Sequence, residues 1–199
     1  EPPEPLFEKI VLACIEQILT WREMGYNCLI CINIDTRQLI SDKFIAFIEE
    51  TLQQYSWLAQ LISFEITEVC KIHDEVKAQA MLAKLRQYGF SISIDDFGTG
   101  FAAMQYLIKY PIDVLKIDRL FITDILQDPK KQVIVKSVIE MAHSLSMKAL
   151  AEGVSNREEI EYLRSLGCDL IQGFGFGVPM SSKDASKWLK ANYKPNYLL

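Results

Sequence analysis

SISIDDFGTGFAAMQYLIKYPIDVLKID, residues 91–118, opens and closes on short apolar runs that each end in charged residues. The first run stops at Asp95 and Asp96, and the second carries Lys116 and stops at Asp118. The arrangement recurs outward in both directions: CLICINI (28–34) reaches Asn33, LISFEIT (61–67) carries Glu65, KALAEG (148–153) reaches Glu152 and DLIQG (169–173) reaches Gln172. Strands of parallel α/β sheets are buried on both faces and read as continuous Val/Ile/Leu runs. A carboxylate or ammonium inside one is costly unless it is paired or bound to metal. Six polar ends at the same edge of successive runs describe a site.

Between the runs lie amphipathic stretches. Val135, Val138, Ile139, Ala142 and Leu145 have the spacing of one buried helix face. Further helices are expected at roughly 6–24, 42–55, 73–88 and 155–166. The last carries a capping pattern, Ser155 with Glu158 or Asn156 with Glu159. Alternating strands and helices give a parallel sheet whose strands all point their C-terminal ends the same way, and in a barrel of such units the site sits on that face.

Composition narrows the class. Half of the 199 residues are apolar, and no tract is of low complexity, so one globular domain with an adequate core is expected. No run reaches membrane-span length and no leader pattern opens the sequence, which leads to the expectation of a cytoplasmic domain or a cytoplasmic module of a larger protein. A net charge of −5 argues against a polymeric nucleic-acid partner, while leaving room for a small phosphate ligand held through metals. Five cysteines fit the same cytoplasmic compartment, and Cys28 and Cys31, a C-x-x-C on an expected strand without a second pair or a nearby His, are expected as buried free thiols rather than a zinc set. His73 and His143 fall on expected helices, in surface or packing roles.

INIDTRQL, FEITE, IDDFGTGFAAMQYLIKYPIDVLKIDRLF, AEGV and GCDLIQGFGFGVP resemble, in order, the signatures of the EAL domain family, bacterial phosphodiesterases that linearise cyclic di-GMP. The resemblance runs from about Phe7 to Pro179, and its DDFGTG…KID block is the most specific part. It implies an α/β fold, a modified (βα)8 TIM-type barrel, of which about six βα units are visible. The family's barrel has about 250 residues, so roughly its first fifth to quarter is expected to be missing here. That part includes the strand with the Glu-Ala-Leu tripeptide and its metal-binding Glu. The 199 residues are thus expected to form an EAL domain lacking its N-terminal strands, within a longer protein.

The resemblance also implies roles. Asn33, Glu65 and Asp95 would hold one Mg²⁺ or Mn²⁺ together with the absent Glu, and Asp95, Asp96 and Glu152 a second. Oxygen donors of this kind suit such hard cations, and a metal pair supplies the hydroxide and charge neutralisation that phosphodiester hydrolysis needs. Lys116 would be a general base or water-orienting group, the alternative being a structural pair with Asp118. Gln172 would position the attacking water or a phosphate, with strand-end capping as its alternative. Glu68 would anchor the loop after DDFG, Asp118 would support the ligands from behind, and the Phe97–Ala103 loop, with Gly98 and Gly100, would act as a lid and dimer-linked element, the alternative being an ordinary strand-to-helix turn. Phe176 and Pro179 are expected in the substrate wall or, equally, in core packing. Cyclic di-GMP as substrate, a homodimer, and fusion to sensory or GGDEF domains complete the implied picture.

Two positions depart from the family's pattern: Ser155 stands where Glu is usual after Glu-Gly-Val, and Asp35 where Ser is usual two residues after the metal-binding Asn. The leading expectation is metal-dependent hydrolysis of cyclic di-GMP to linear pGpG. The second is a degenerate domain that binds the dinucleotide or a protein without turnover. A third, a different barrel enzyme with a lysine base and carboxylate-bound Mg²⁺, leaves DDFGTG unexplained.

Overall fold

The computed structural model describes residues 4–67, 74–98 and 103–193. Within them all six apolar runs form strands: β1 (Ile30–Asn33), β2 (Ile62–Thr67), β3 (Ser91–Phe97), β4 (Val114–Ile117), β5 (Lys148–Ala151) and β6 (Leu170–Ile171). They pair in parallel in chain order, β1 to β6, and curl into a half-barrel. The connecting helices are α1 (Glu4–Glu23), α2 (Thr36–Leu39), α3 (Asp42–Gln54), α4 (Glu75–Gln87), α5 (Ala103–Lys109), α6 (Arg119–Ile122), α7 (Pro129–Ser144) and α8 (Arg157–Ser165), with α9 (Ser182–Asn192) after the last strand. No helix among the described residues is long and apolar enough to cross a membrane.

Register explains why the strand runs look continuous although their faces differ. Asn33 pairs with Glu65, Glu65 with Ser93, Ser93 with Val114, and Lys116 with Leu150. Paired residues of a parallel sheet point to the same side, so one face carries Asn33, Ser63, Glu65, Ser93, Asp95 and Lys116. The other face carries Ile32, Phe64, Ile66, Ile92, Ile94, Leu115, Ile117 and Ala149, all buried under the helices. There Phe64 meets Phe44 edge-on at 5.6 Å and Phe90 at 5.1 Å between centroids, while Phe44 in turn meets Phe7. On the polar face Ser63 and Ser93 are just as deeply buried and bond each other, Oγ to Oγ, at 2.9 Å.

Local chemistry sets the helix ends. The Asp74 carboxylate accepts from Lys77 N and starts α4, and Asp128 accepts from Lys130 N and Lys131 N ahead of Pro129 in the first turn of α7. The expected buried stripe of α7 is corrected at its end: Val135, Ile139 and Ala142 are buried and Val138 is partly so, but Leu145 is 47% exposed. The helix stops at Ser144, Ser146 turns left-handed at φ 61°, and Met147 N bonds Ala142 O, so the buried side chain at this end is Met147 rather than Leu145. For α8 the second of the two capping patterns holds, with Asn156 Oδ1 accepting from Glu159 N.

The ends of β5 and β6 approach so closely that only glycine fits between them. Gly173 has φ 153°, and a Cβ there would lie 2.2 Å from Val154 O and 2.4 Å from Val154 N. Val154 N bonds Gln172 O and Gly175 N bonds Val154 O, so the backbone cannot give way without losing these bonds. Gly173→Ala is therefore expected to destabilise the protein by about 1–3 kcal/mol. Urea unfolding checks this, and an unchanged midpoint would contradict the packing described.

Candidate active site

The site begins with an irregularity in β3. Ile94 pairs with Leu115 but Phe97 pairs with Ile117, so β3 holds one residue more than β4 across this step. Such a bulge re-aims a side chain. Asp96 adopts φ 56°, in the left-handed region that Asp tolerates better than most residues. As a result two consecutive aspartates, which a regular strand would send to opposite faces, reach one cluster: carboxylate oxygens of Asp95, Asp96 and Glu152 lie within 4.8 Å of one another.

Lys116 stands against this cluster. Its Nζ donates to Glu152 Oε1 at 2.8 Å, Asp95 Oδ1 at 2.9 Å and Glu65 Oε1 at 3.0 Å, and its side chain is only 4% exposed. An ammonium has three protons, and here each has its own carboxylate. Burial pulls the lysine pKa down, but the hydrogen bonds to Asp95 and Glu152 and the charges of Glu65 and Glu152 outweigh it, so the net direction is up. Glu152 is also raised, by burial first, with Lys116 opposing. Charge-assisted bonds in a low-dielectric setting are strong, and deleting one partner of such a group costs about 3–5 kcal/mol because the others stay buried and uncompensated.

Asn33 ends the edge strand β1, level with Glu65 by register, and is exposed. Gln172 follows Ile171, the partner of Ala151, as Glu152 follows Ala151, and its N–H bonds Ala151 O. Gln172 is exposed and lines a cavity of about 500 Å³ together with Trp21, Phe174, Phe176 and Pro179, so both expected wall residues stand on that cavity. Asp118 does not pair with Lys116, which corrects the structural alternative for the lysine. Its Oδ1 caps α6 through Leu120 N, and its carboxyl meets Asp96. Glu68, His73, Cys70 and most of the Phe97–Ala103 loop lie outside the described residues.

Other residues come into view only with the fold. Glu159 is 6% exposed, and its Oε2 accepts from both Ser155 N (2.7 Å) and Ser155 Oγ (3.0 Å). Ser155 therefore does not cap α8. It donates two hydrogen bonds to a buried glutamate, and the signal for this was the four-residue spacing of Ser155 and Glu159. The thiols are free among the described residues, but Cys28 and Cys31 are not fully buried as expected. Cys14, Cys28 and Cys168 are half-buried, and Cys31 is exposed as a residue on the open edge of the sheet. Its sulfur nevertheless points into the polar face, where burial and then the bonded Glu65 carboxylate push it up to about 12. Cys28 precedes β1 rather than lying in it. His143 Nε2 meets Asp169 Oδ2 at 2.8 Å, far from this mouth, and Asp35 is held below the usual carboxylate range by its bond from Arg37.

Oxygen donors alone, three of them converging, fit a divalent Mg²⁺ or Mn²⁺ and not a thiolate-seeking metal. The convergence opposes folding unless it is neutralised. Asp96 is pushed up by burial and then by the charges of Asp95 and Asp118. A carboxyl raised in the folded state binds its proton more tightly there than in the unfolded chain. Ionised Asp96 thus destabilises at neutral pH, and the effect vanishes as pH falls below the ordinary value of 3.8. In chelator, Asp96→Asn, which suits the left-handed backbone, is expected to melt slightly higher than the parent at neutral pH, by a margin that solvent screening keeps small. Melting curves against pH check it; a loss of stability, or a gain independent of pH, would contradict it.

A profile of the EAL domain matches residues 4–179. PdeR of Escherichia coli K12, a cyclic di-GMP phosphodiesterase, is 32% identical over 190 residues, which span 96% of this chain and 29% of PdeR. The chain covers less than a third of the length of the first curated relatives that it matches. The EAL domain of DcpA from Mycobacterium smegmatis superposes with a TM-score of 0.83 at 29% identity, over 90% of this chain and 81% of that one. BlrP1 of Klebsiella pneumoniae, solved in complex with manganese and cyclic di-GMP, gives 0.73 at 28% identity, over 84% of this chain and 43% of its own. A family match over residues 4–179, nearly all of the sequence, with the acidic mouth drawn from three of the matching stretches, settles the ancestry: the chain belongs to the EAL domain family.

Proposed function

We propose that this chain is the catalytic part of a longer protein that hydrolyses cyclic di-GMP to linear pGpG. The observation that carries this is the convergence of Lys116 with Glu65, Asp95 and Glu152, and of Asp96 with the last two, at the C-terminal mouth of a parallel sheet. Asp95, Asp96 and Glu152 would hold one Mg²⁺ or Mn²⁺, and Asn33, Glu65 and Asp95 take part in holding a second. Bound there, the metals supply an activated water and neutralise the phosphoryl oxygens.

The chain's own groups do the rest. Lys116 Nζ, brought to this mouth by its three carboxylate partners in the metal-free protein, would hold and pass a proton at the point of attack once metal is bound. Gln172, at the rim between this mouth and the cavity, orients the water or a phosphate oxygen. Phe174 and Phe176 offer flat apolar faces on which a guanine can stack. Asp118, whose carboxyl meets Asp96, places it. A homodimer, attached sensory or GGDEF domains and a cytoplasmic signalling role are carried over from the family, the attached domains being supported by the greater length of the matched relatives. One observation favours the second reading, binding without turnover: Asn33 stands exposed on the edge strand β1.

Hydrolysis followed by chromatography with Mn²⁺ separates the two. Linear pGpG is expected with Mn²⁺ and not with chelator. Lys116→Gln is expected to lower kcat by about 10²–10⁴, the usual worth of positioned proton transfer, while dinucleotide binding persists. Binding without any product in the parent protein would favour the second reading, and equal loss of binding and turnover in the variant would make Lys116 a structural residue.

A further inference from the structure

Two of the three residues in the compact carboxylate cluster, Asp95 and Glu152, are also two of the three that hold the Lys116 ammonium. The same carboxylates therefore serve an internal monovalent cation and a candidate divalent one. We propose that Lys116 is an internal competitor for metal, whose ammonium neutralises Glu65, Asp95 and Glu152 until a divalent cation takes over the latter two, so that the lysine sets the metal concentration at which the centre loads.

The geometry supports competition over simple coexistence. All three Nζ protons are committed, at 2.8, 2.9 and 3.0 Å, to carboxylates that are themselves 16%, 16% and 7% exposed. Taking Asp95 and Glu152 into a metal's coordination shell breaks or lengthens two charge-assisted bonds. It also sets a divalent charge close to a buried ammonium, where Coulomb repulsion is weakly screened. Both effects raise the metal concentration needed. Removing the ammonium reverses both, leaving an anionic cage whose strongest available partner is the metal. The flexible four-carbon stem of lysine lets the head group yield when metal arrives, which a rigid planar arginine fork would not do as readily.

This presupposes the metal site proposed above, and the experiment separates the two. Mg²⁺ and Mn²⁺ binding is measured by calorimetry for the parent protein and for Lys116→Met and Lys116→Gln, with melting curves in chelator and in metal. The variants are expected to bind metal about tenfold more tightly or better, a difference of about 1.4 kcal/mol. They are also expected to melt lower in chelator and to recover more stability on adding metal than the parent does. Equal or weaker affinity in the variants overturns the competition while leaving the metal site standing. Absence of binding in parent and variants overturns both. Should neither variant fold, lysine-selective ¹⁵N spectra of the parent decide: the Lys116 ammonium signal is expected to shift or vanish on saturation with diamagnetic Mg²⁺, and a signal unmoved at saturation overturns the proposal.

Discussion

A single buried ammonium shared by three carboxylates is the constraint around which this mouth of the sheet is organised. None of these groups is tolerable alone in that setting, because each would lose its hydration without a partner. Together they require Glu65 on β2, Asp95 on β3, Lys116 on β4 and Glu152 just after β5 to arrive at one level. Parallel register in chain order delivers them there. The apolar opposite face, built on Phe64, Ile92, Ile94 and Leu115, supplies the burial that holds the strands in that register.

The remaining features of the mouth accommodate this arrangement. The bulge in β3 spends backbone freedom at Asp96 to bring a second aspartate inward, and it concentrates negative charge beyond what one lysine neutralises. The close approach at Gly173 ties the end of β6 to Val154, two residues beyond Glu152. Glu159, held through Ser155, fixes the segment from the other side. Stability and function pull against each other here, as they commonly do where charge is gathered for a ligand.

Much of this was legible in the sequence, for a physical reason. A polar residue ending a buried apolar run is expensive, so its repetition at six strand ends exposes both the sheet and the face that carries the site. What stayed hidden depends on backbone geometry or long-range contact. Nothing in Asp95-Asp96 announces a bulge, because Asp is permitted but not required in the left-handed region. The lysine's partners could not be read from LKID, where Asp118 is near in sequence but turns away to cap α6. Leu145 fits a helical stripe by spacing, yet it is the last residue before the left-handed turn at Ser146 and stays half exposed, while Met147 beyond the turn is buried. Glu159 was legible as a capping partner of Asn156, but not as a buried acid, since only the fold shows which side of α8 faces inward.

The most direct measurement is anomalous diffraction from crystals of the protein soaked in Mn²⁺ with cyclic di-GMP. The account predicts manganese peaks bonded to oxygens of Asp95, Asp96 and Glu152, a second peak about 3.5–4 Å from the first, and the Lys116 ammonium drawn away from Asp95 and Glu152. Fully formed crystals with saturating Mn²⁺ that show no peak at these carboxylates, or show Lys116 still bonded to all three, would contradict it.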